Sequence, residues 1–152
     1  MTLEVHGMTE IQQLAGKDLG RSAWRTVSQE LIDGFADVSG DHQWIHVDAQ
    51  RAAAGPYSKT IAHGYMILSW GVPMFAELLT VSGVGRSLNY GVNTVRFPAP
   101  VPVGSRVRLH ASVIDVQPVK NGGVQMVRGF TFEIEDCTKP ACVAESITHF
   151  YP

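Results

Sequence analysis

At 152 residues the chain suits one domain, long enough to bury about 68–70% of its unfolded surface without disulfide or metal staples. Hydrophobic residues make up 45% of it and charged residues 17%, and twelve Lys and Arg against fourteen Asp and Glu leave a net charge of −2. That balance excludes the strongly basic footprint of a general nucleic-acid binder.

In chain order, residues 1–7 lack the basic flank and apolar run of a signal peptide. Thr9 stands where it can cap a short helix through Leu14, ended by Gly16. Residues 23–27 read as a short strand. Ser28 then caps a second helix in which Leu31, Ile32, Phe35 and Ala36 share one face, and Gly40 sits where a left-handed residue is wanted. Asp48 caps a further turn or two over residues 49–54, closed by Gly55-Pro56. Residues 64–80 are apolar on nearly every side, which predicts a helix buried all round, kinked or divided at Pro73. Its apolar run is interrupted by Ser69, Gly71, Pro73 and Glu77, and it falls short of the roughly 18 residues a membrane span requires.

From about residue 82 the period changes to that of strands. Residues 106–113 place Val107, Leu109, Ala111 and Val113 on one face and Arg106, Arg108, His110 and Ser112 on the other. Asn121-Gly122-Gly123 is a hairpin turn signal. The strand after it alternates through Val124, Met126, Phe130, Phe132 and Ile134, with Arg128 as the odd member of the apolar register, suited to pairing across an interface. Residues 141–150 are small or apolar on both faces, as a central strand would be. Cys137 and Cys142 are too few for a disulfide scaffold and form no Cys-x-x-Cys pair, which points to a reducing, cytoplasmic setting. The order of elements predicts a single α+β domain over residues 1–152, with an antiparallel sheet wrapped around the long apolar helix. A second subunit is the economical cover for what one sheet and one helix leave open.

The densest chemistry lies in Ser39-Gly40-Asp41-His42-Gln43-Trp44-Ile45-His46-Val47-Asp48, read as a loop between two helices. Four readings compete on the residues alone. Asp41 and Asp48 can be helix caps beside solvated histidines. His42-x-x-x-His46 has metal-ligand spacing, although that spacing serves metals on a helix and no Cys or Glu stands near. Ser39 or Ser58 can be imagined as a nucleophile, without the elbow motif that would support it. Finally, Asp41 and His46 can act as an acid–base couple around one water.

That segment, followed by Ala52-Ala53-Ala54 and Ile61-Ala62-His63-Gly64, resembles the signature of MaoC-like R-specific enoyl-CoA hydratases of the hot-dog fold. The likeness continues through Val95-Arg96-Phe97 and Pro100-Val101-Pro102-Val103-Gly104-Ser105, and covers about residues 25–150. Gln43 and Trp44 stand where the family has Asn and Pro. The resemblance implies hydration of a trans-2-enoyl-CoA to a (R)-3-hydroxyacyl-CoA, or the reverse, by Asp41 and His46. It implies Gly64 as an oxyanion donor through its N–H, and Gln43, His63 and Arg96 as substrate-holding candidates, His63 serving equally well as a structural hydrogen-bonder. Trp44 either reshapes the acyl pocket or packs. Met66, Leu68, Trp70, Met74 and Phe75 either line that pocket or are plain core. No metal or cofactor is implied; the partners are the CoA thioester and a second copy of the chain, with no nucleic acid and no membrane. Two related activities stay open, dehydration on an acyl-carrier protein and acyl-CoA thioester hydrolysis, as does a binding-only subunit, against which the presence of both Asp41 and His46 speaks.

Overall fold

The computed structural model describes residues 1–152. A strand, β1 (Leu3–His6), passes through left-handed Gly7 into helix α1 (Gly7–Gln12). The Glu10 carboxylate accepts the His6 N–H at 2.7 Å, so the helix starts before Thr9, and the cap expected there lies inside it. Strands β2 (Asp18–Arg21) and β3 (Arg25–Thr26) follow; of the strand expected over residues 23–27 only Arg25 and Thr26 are paired. Helix α2 (Gln29–Ser39) has the predicted ends. The Ser28 hydroxyl accepts the Leu31 N–H at 3.2 Å, and Gly40 closes the helix at φ 79°, a conformation that costs a residue without Cβ nothing. The segment read as a loop contains one helical turn, α3 (Trp44–Val47), before α4 (Ala49–Ala53), which Asp48 caps by accepting the Arg51 N–H at 2.9 Å.

The apolar run divides into α5 (Gly64–Ser69) and α6 (Gly71–Ala76). Trp70 between them keeps right-handed angles, and the Met74 N–H still bonds its carbonyl at 3.1 Å, so the two pieces continue one another. Pro73 has no N–H to give the Ser69 carbonyl, which is the physical cause of the joint. The helix also ends earlier than expected. Leu79–Ser82 is a strand, β4, paired parallel to β1 with Leu3 opposite Leu79.

Four long strands complete the chain: β5 (Arg86–Arg96), β6 (Arg106–Pro118), β7 (Val124–Ile134) and β8 (Cys142–Tyr151). The sheet order is β2-β6-β7-β8-β5, antiparallel throughout, with β3 also pairing β6. β8 is interior, as its two small or apolar faces require. Val107, Leu109, Ala111 and Val113 turn inward with Met126, Phe130 and Phe132 to meet Met66, Ile67 and Met74 of the helices. The approach is close at Gly71, where a Cβ would fall 2.6 Å from the Phe130 ring. The sheet therefore wraps the α5–α6 run, the hot-dog arrangement. Strand β5 is its outer edge and is exposed along most of its length, with Leu88, Tyr90 and Val92 facing out. No helix is long and apolar enough to cross a membrane.

Candidate active site

Three segments apart in sequence are zipped together to build the site. The Ile61 N–H bonds the Ile45 carbonyl at 3.0 Å, the Ala62 N–H bonds Val101 O at 2.9 Å, and the Val103 N–H bonds Thr60 O at 2.9 Å. These bonds carry α3, the entry to α5 and the turn after β5 into one place. A cavity of about 560 Å³ opens between them, with Asp41, His46, His63, Gly64, Tyr57 and Phe97 in its wall.

His46 is 6% exposed. Its Nδ1 lies 2.7 Å from the Ile61 carbonyl, which can only accept, so Nδ1 carries the proton and Nε2 presents a bare lone pair. That Nε2 lies 3.9 Å from Asp41 Oδ2. Burial holds the His46 pKa below the usual imidazole range, with the Ile61 carbonyl pulling the other way, so the ring is neutral at pH 7. The carbonyl of His46 in turn accepts the Gln29 side-chain N–H at 2.8 Å, while the Thr60 hydroxyl donates to the oxygen of the same amide. Gln29 is a support that the sequence does not advertise: a polar residue just after an N-cap looks like any other first-turn residue.

His63 is buried and its ring stacks on that of His46 at 3.7 Å between centroids. Its Nε2–H donates to the Asp41 backbone carbonyl at 2.9 Å and lies 4.0 Å from the Asp41 carboxylate. His63 thus fixes the loop that carries Asp41. Asp41 itself is half-exposed at the mouth of the cavity. Asp41, His46 and His63 bring ligand-type atoms within 4.8 Å of one another, but the His63 Nε2 proton is committed to the carbonyl, which leaves two free ligand atoms. His42 does not join them. Its ring turns outward to Asp37 at 2.9 Å, which dissolves the His42-x-x-x-His46 metal reading. The Ser39 hydroxyl donates back into α2, to the Phe35 carbonyl, and neither Ser39 nor Ser58 lines the cavity.

Gly64 is the first residue of α5 and lines the cavity; its N–H has no preceding turn to bond. A Cβ there would fall 2.9 Å from the Phe97 ring, so only glycine leaves the wall as it is. Gln43 and Arg96 lie outside the cavity wall. Gln43 is exposed and meets Asp41 through its backbone N–H, 3.3 Å from Oδ1. Arg96 bonds the neighbouring Val95 carbonyl. Trp44 packs under the Arg51 guanidinium and against Gly55 rather than into the cavity. Of the residues read as pocket or core, Met66, Trp70, Met74 and Phe75 are buried in the core, and Phe75 together with the partly buried Leu68 also lines hollows on the open side of the helix.

The family described as MaoC like domain matches residues 10–131. The chain is similar to a 3-hydroxyacyl-thioester dehydratase Z of Mycobacterium tuberculosis, 51% identical over 143 residues, covering 94% of this chain and 95% of that protein. Among solved structures it resembles a monoamine oxidase regulatory protein from an Archaeoglobus species, with a TM-score of 0.80 at 22% identity over 100% of this chain and 99% of that one. It also resembles an (R)-hydratase from A. caviae involved in PHA biosynthesis, with a TM-score of 0.74 at 20% identity over 91% of this chain and 96% of that one. At those identities the two structures speak for the hot-dog fold alone.

Proposed function

The chain belongs to the MaoC-like domain family, and from that premise we propose that it adds water reversibly across the double bond of a trans-2-enoyl-CoA to give a (R)-3-hydroxyacyl-CoA. The observation that carries this reading is the 3.9 Å gap between Asp41 Oδ2 and the bare Nε2 of His46. Both atoms are acceptors. A water about 2.8 Å from each donates both of its protons to the pair and so aims its lone pairs into the cavity. As the oxygen attacks C3, the pair takes one proton and returns a proton to C2 on the same face. The two groups share that proton as a coupled pair. Negative charge that builds on the thioester oxygen meets the free Gly64 N–H at the start of α5, a donor of a kind whose loss typically costs about 2.7–4 kcal/mol. The M. tuberculosis relative's name, a 3-hydroxyacyl-thioester dehydratase, supports a thioester substrate; the R sense follows from the motif's resemblance.

His63 and Gln43 act here as positioning residues, the first through the Asp41 carbonyl and the second through its own backbone N–H. Among the arginines of the strand half, Arg106 and Arg108 are spent on Glu135 and Glu133. Arg96 has no carboxylate partner and adjoins Phe97 of the cavity wall, which suits it to the CoA phosphates. The free thiols of Cys137 and Cys142 suit a cytoplasmic protein. The exposed apolar face of Tyr65, Val72, Leu88, Tyr90 and Val92 suits a second copy, making the working unit a homodimer.

Crotonyl-CoA tests the proposal. The purified protein should consume the enoyl-thioester absorbance and form the R alcohol, and Asp41→Asn and His46→Gln should each lose about 10²–10⁴-fold in rate. Near-wild-type turnover by both variants would refute the pair. Release of free thiol from a saturated acyl-CoA would instead make the protein a thioesterase.

A further inference from the structure

One basic side chain inside the sheet has no acid to answer it. Arg128 is 5% exposed on β7, on the face that packs against the helices. Its guanidinium lies 4.8 Å from the Phe75 ring and 5.0 Å from the Phe130 ring. Aromatic rings answer a cation with their faces, and leave its in-plane N–H donors unspent. Of those donors only Nη2 is used, donating to Ser146 Oγ at 2.7 Å and reaching Asn89 Oδ1 at 3.5 Å. Nε is buried without a partner, and so is the hydroxyl of Thr148, two residues beyond Ser146 on the neighbouring strand. No carboxylate forms an ion pair with Arg128, and burial alone draws its pKa down to about 10, which leaves it charged at neutral pH. A buried charge in this condition calls for an anion.

Arg128 also lies beside hollows that follow the same helical run as the catalytic cavity. Two hollows of about 270 and 400 Å³ flank it, share Val72, Asn89 and Arg128 in their walls, and contain no acidic residue. One helix stripe at spacings of three and four runs from the cavity wall along both hollows. Tyr65 borders the catalytic cavity, Leu68 and Ser69 the first hollow, Val72 both hollows, and Phe75 the second. Strand β5 forms the opposite bank through Asn89. From Gly64 at the catalytic end to Val72 beside Arg128 the helix rises roughly 12 Å. The banks mix apolar side chains with neutral polar ones such as Ser69, Ser87 and Asn89, and Arg128 is the only charged group along the two hollows.

We propose that this trench receives the distal part of the acyl chain and that Arg128 binds a carboxylate at its end, so that the preferred substrate class is a trans-2-enoyl thioester whose acyl chain terminates in a carboxylate. A carboxylate supplies both the missing charge and acceptors for the idle donors of Arg128 and Thr148; a ketone or hydroxyl supplies acceptors alone. The assignment rests on the hydratase reading of Asp41 and His46, and the test keeps the two apart.

The test measures kcat/KM for trans-2-enoyl-CoA esters of rising chain length that end in a methyl group, a methyl ketone or a carboxylate, with crotonyl-CoA as the common reference. At the chain length that reaches Arg128, the wild-type protein should prefer the carboxylate over the methyl end by tenfold or more, and over the ketone as well. In Arg128→Met that ratio should fall to one or below; in Arg128→Lys, which keeps the charge without the planar fork, it should lie between. The wild-type ratio decides the matter even if a variant fails to fold. Turnover of crotonyl-CoA with no preference for the carboxylate at any length overturns the assignment and leaves the hydratase reading standing. Equal preference for ketone and carboxylate overturns the charge recognition. Failure to hydrate any of the esters takes both readings down. Absence of a wild-type preference, together with an Arg128→Met protein that sediments at half the wild-type mass, assigns the guanidinium to a subunit contact instead.

Discussion

Burial pushes the His46 pKa below the usual imidazole range, against the opposing pull of the Ile61 carbonyl, and in the proposed mechanism this balance sets the lower pH limit of the pair. A lowered folded-state value means that the unfolded chain binds the proton more readily. The stability contributed by His46 is therefore present above the ordinary imidazole value and is lost as the pH falls through the lowered one. Activity should follow the same sign, since only the neutral ring can take a proton from water. The acid limb of kcat/KM for hydration is expected below the ordinary imidazole value; an acid limb above that value would mean that burial does not govern the ring, and activity lost as the pH rises through the imidazole range would mean that the ring works charged. His42, only four residues away, is shifted upward by its hydrogen bond to Asp37, so neighbours in sequence have opposite electrostatic surroundings. Composition and spacing do not distinguish the two histidines. The distinction comes from Ile61 and His63, which close over His46 and leave His42 outside.

At the scale of elements, the α5–α6 run is positioned by how closely Gly71 approaches the sheet. A methyl group there would fall against Phe130 at 2.6 Å and Phe132 at 3.3 Å, with rings on the sheet side and no flexible chain end to yield. Gly71→Ala is expected to destabilise by about 1–3 kcal/mol, as overpacking does, lowering the denaturant midpoint at unchanged slope. No change in midpoint would mean that helix and sheet are free to separate there. Elements whose signals are local were legible in the sequence: the Ser28 and Asp48 caps, the left-handed Gly40, the alternation of β6 and β7, and the two-sided apolarity of β8. Those defined by a remote partner were not. β4 is a strand because β1 lies beside it, some 76 residues upstream, and within its own sequence Leu79–Ser82 continues the apolar helix. The candidate site divides in the same way. Asp41, His46 and Gly64 belong to a local motif, whereas Gln29 and the guanidinium of Arg128 acquire their surroundings only when distant segments meet.

For the molecule as a whole, the open side of the α5–α6 run and the exposed edge strand β5 form one continuous face. An unpaired edge with outward Leu88, Tyr90 and Val92 is a liability for a lone chain and an asset for an assembly. Sedimentation is expected to give the mass of two chains. Leu88→Lys, which places a charge on that edge away from the cavity and the trench, should shift the protein toward a single chain. Wild-type protein sedimenting as a monomer at working concentration would leave the trench open to solvent and contradict the dimer. In the proposed dimer, one chain of 152 residues supplies the pair and the banks of the trench, and the partner supplies its roof.

The central claim is that one water, held between Asp41 and His46, delivers both the hydroxyl and a proton to the same face of the double bond. Hydration of crotonyl-CoA in D₂O, followed by determination of the configuration at C2 and C3, tests it most directly. The expected product is a single (R)-3-hydroxybutyryl-CoA with deuterium at C2 syn to the new hydroxyl. An anti product, or deuterium distributed over both faces, would contradict it.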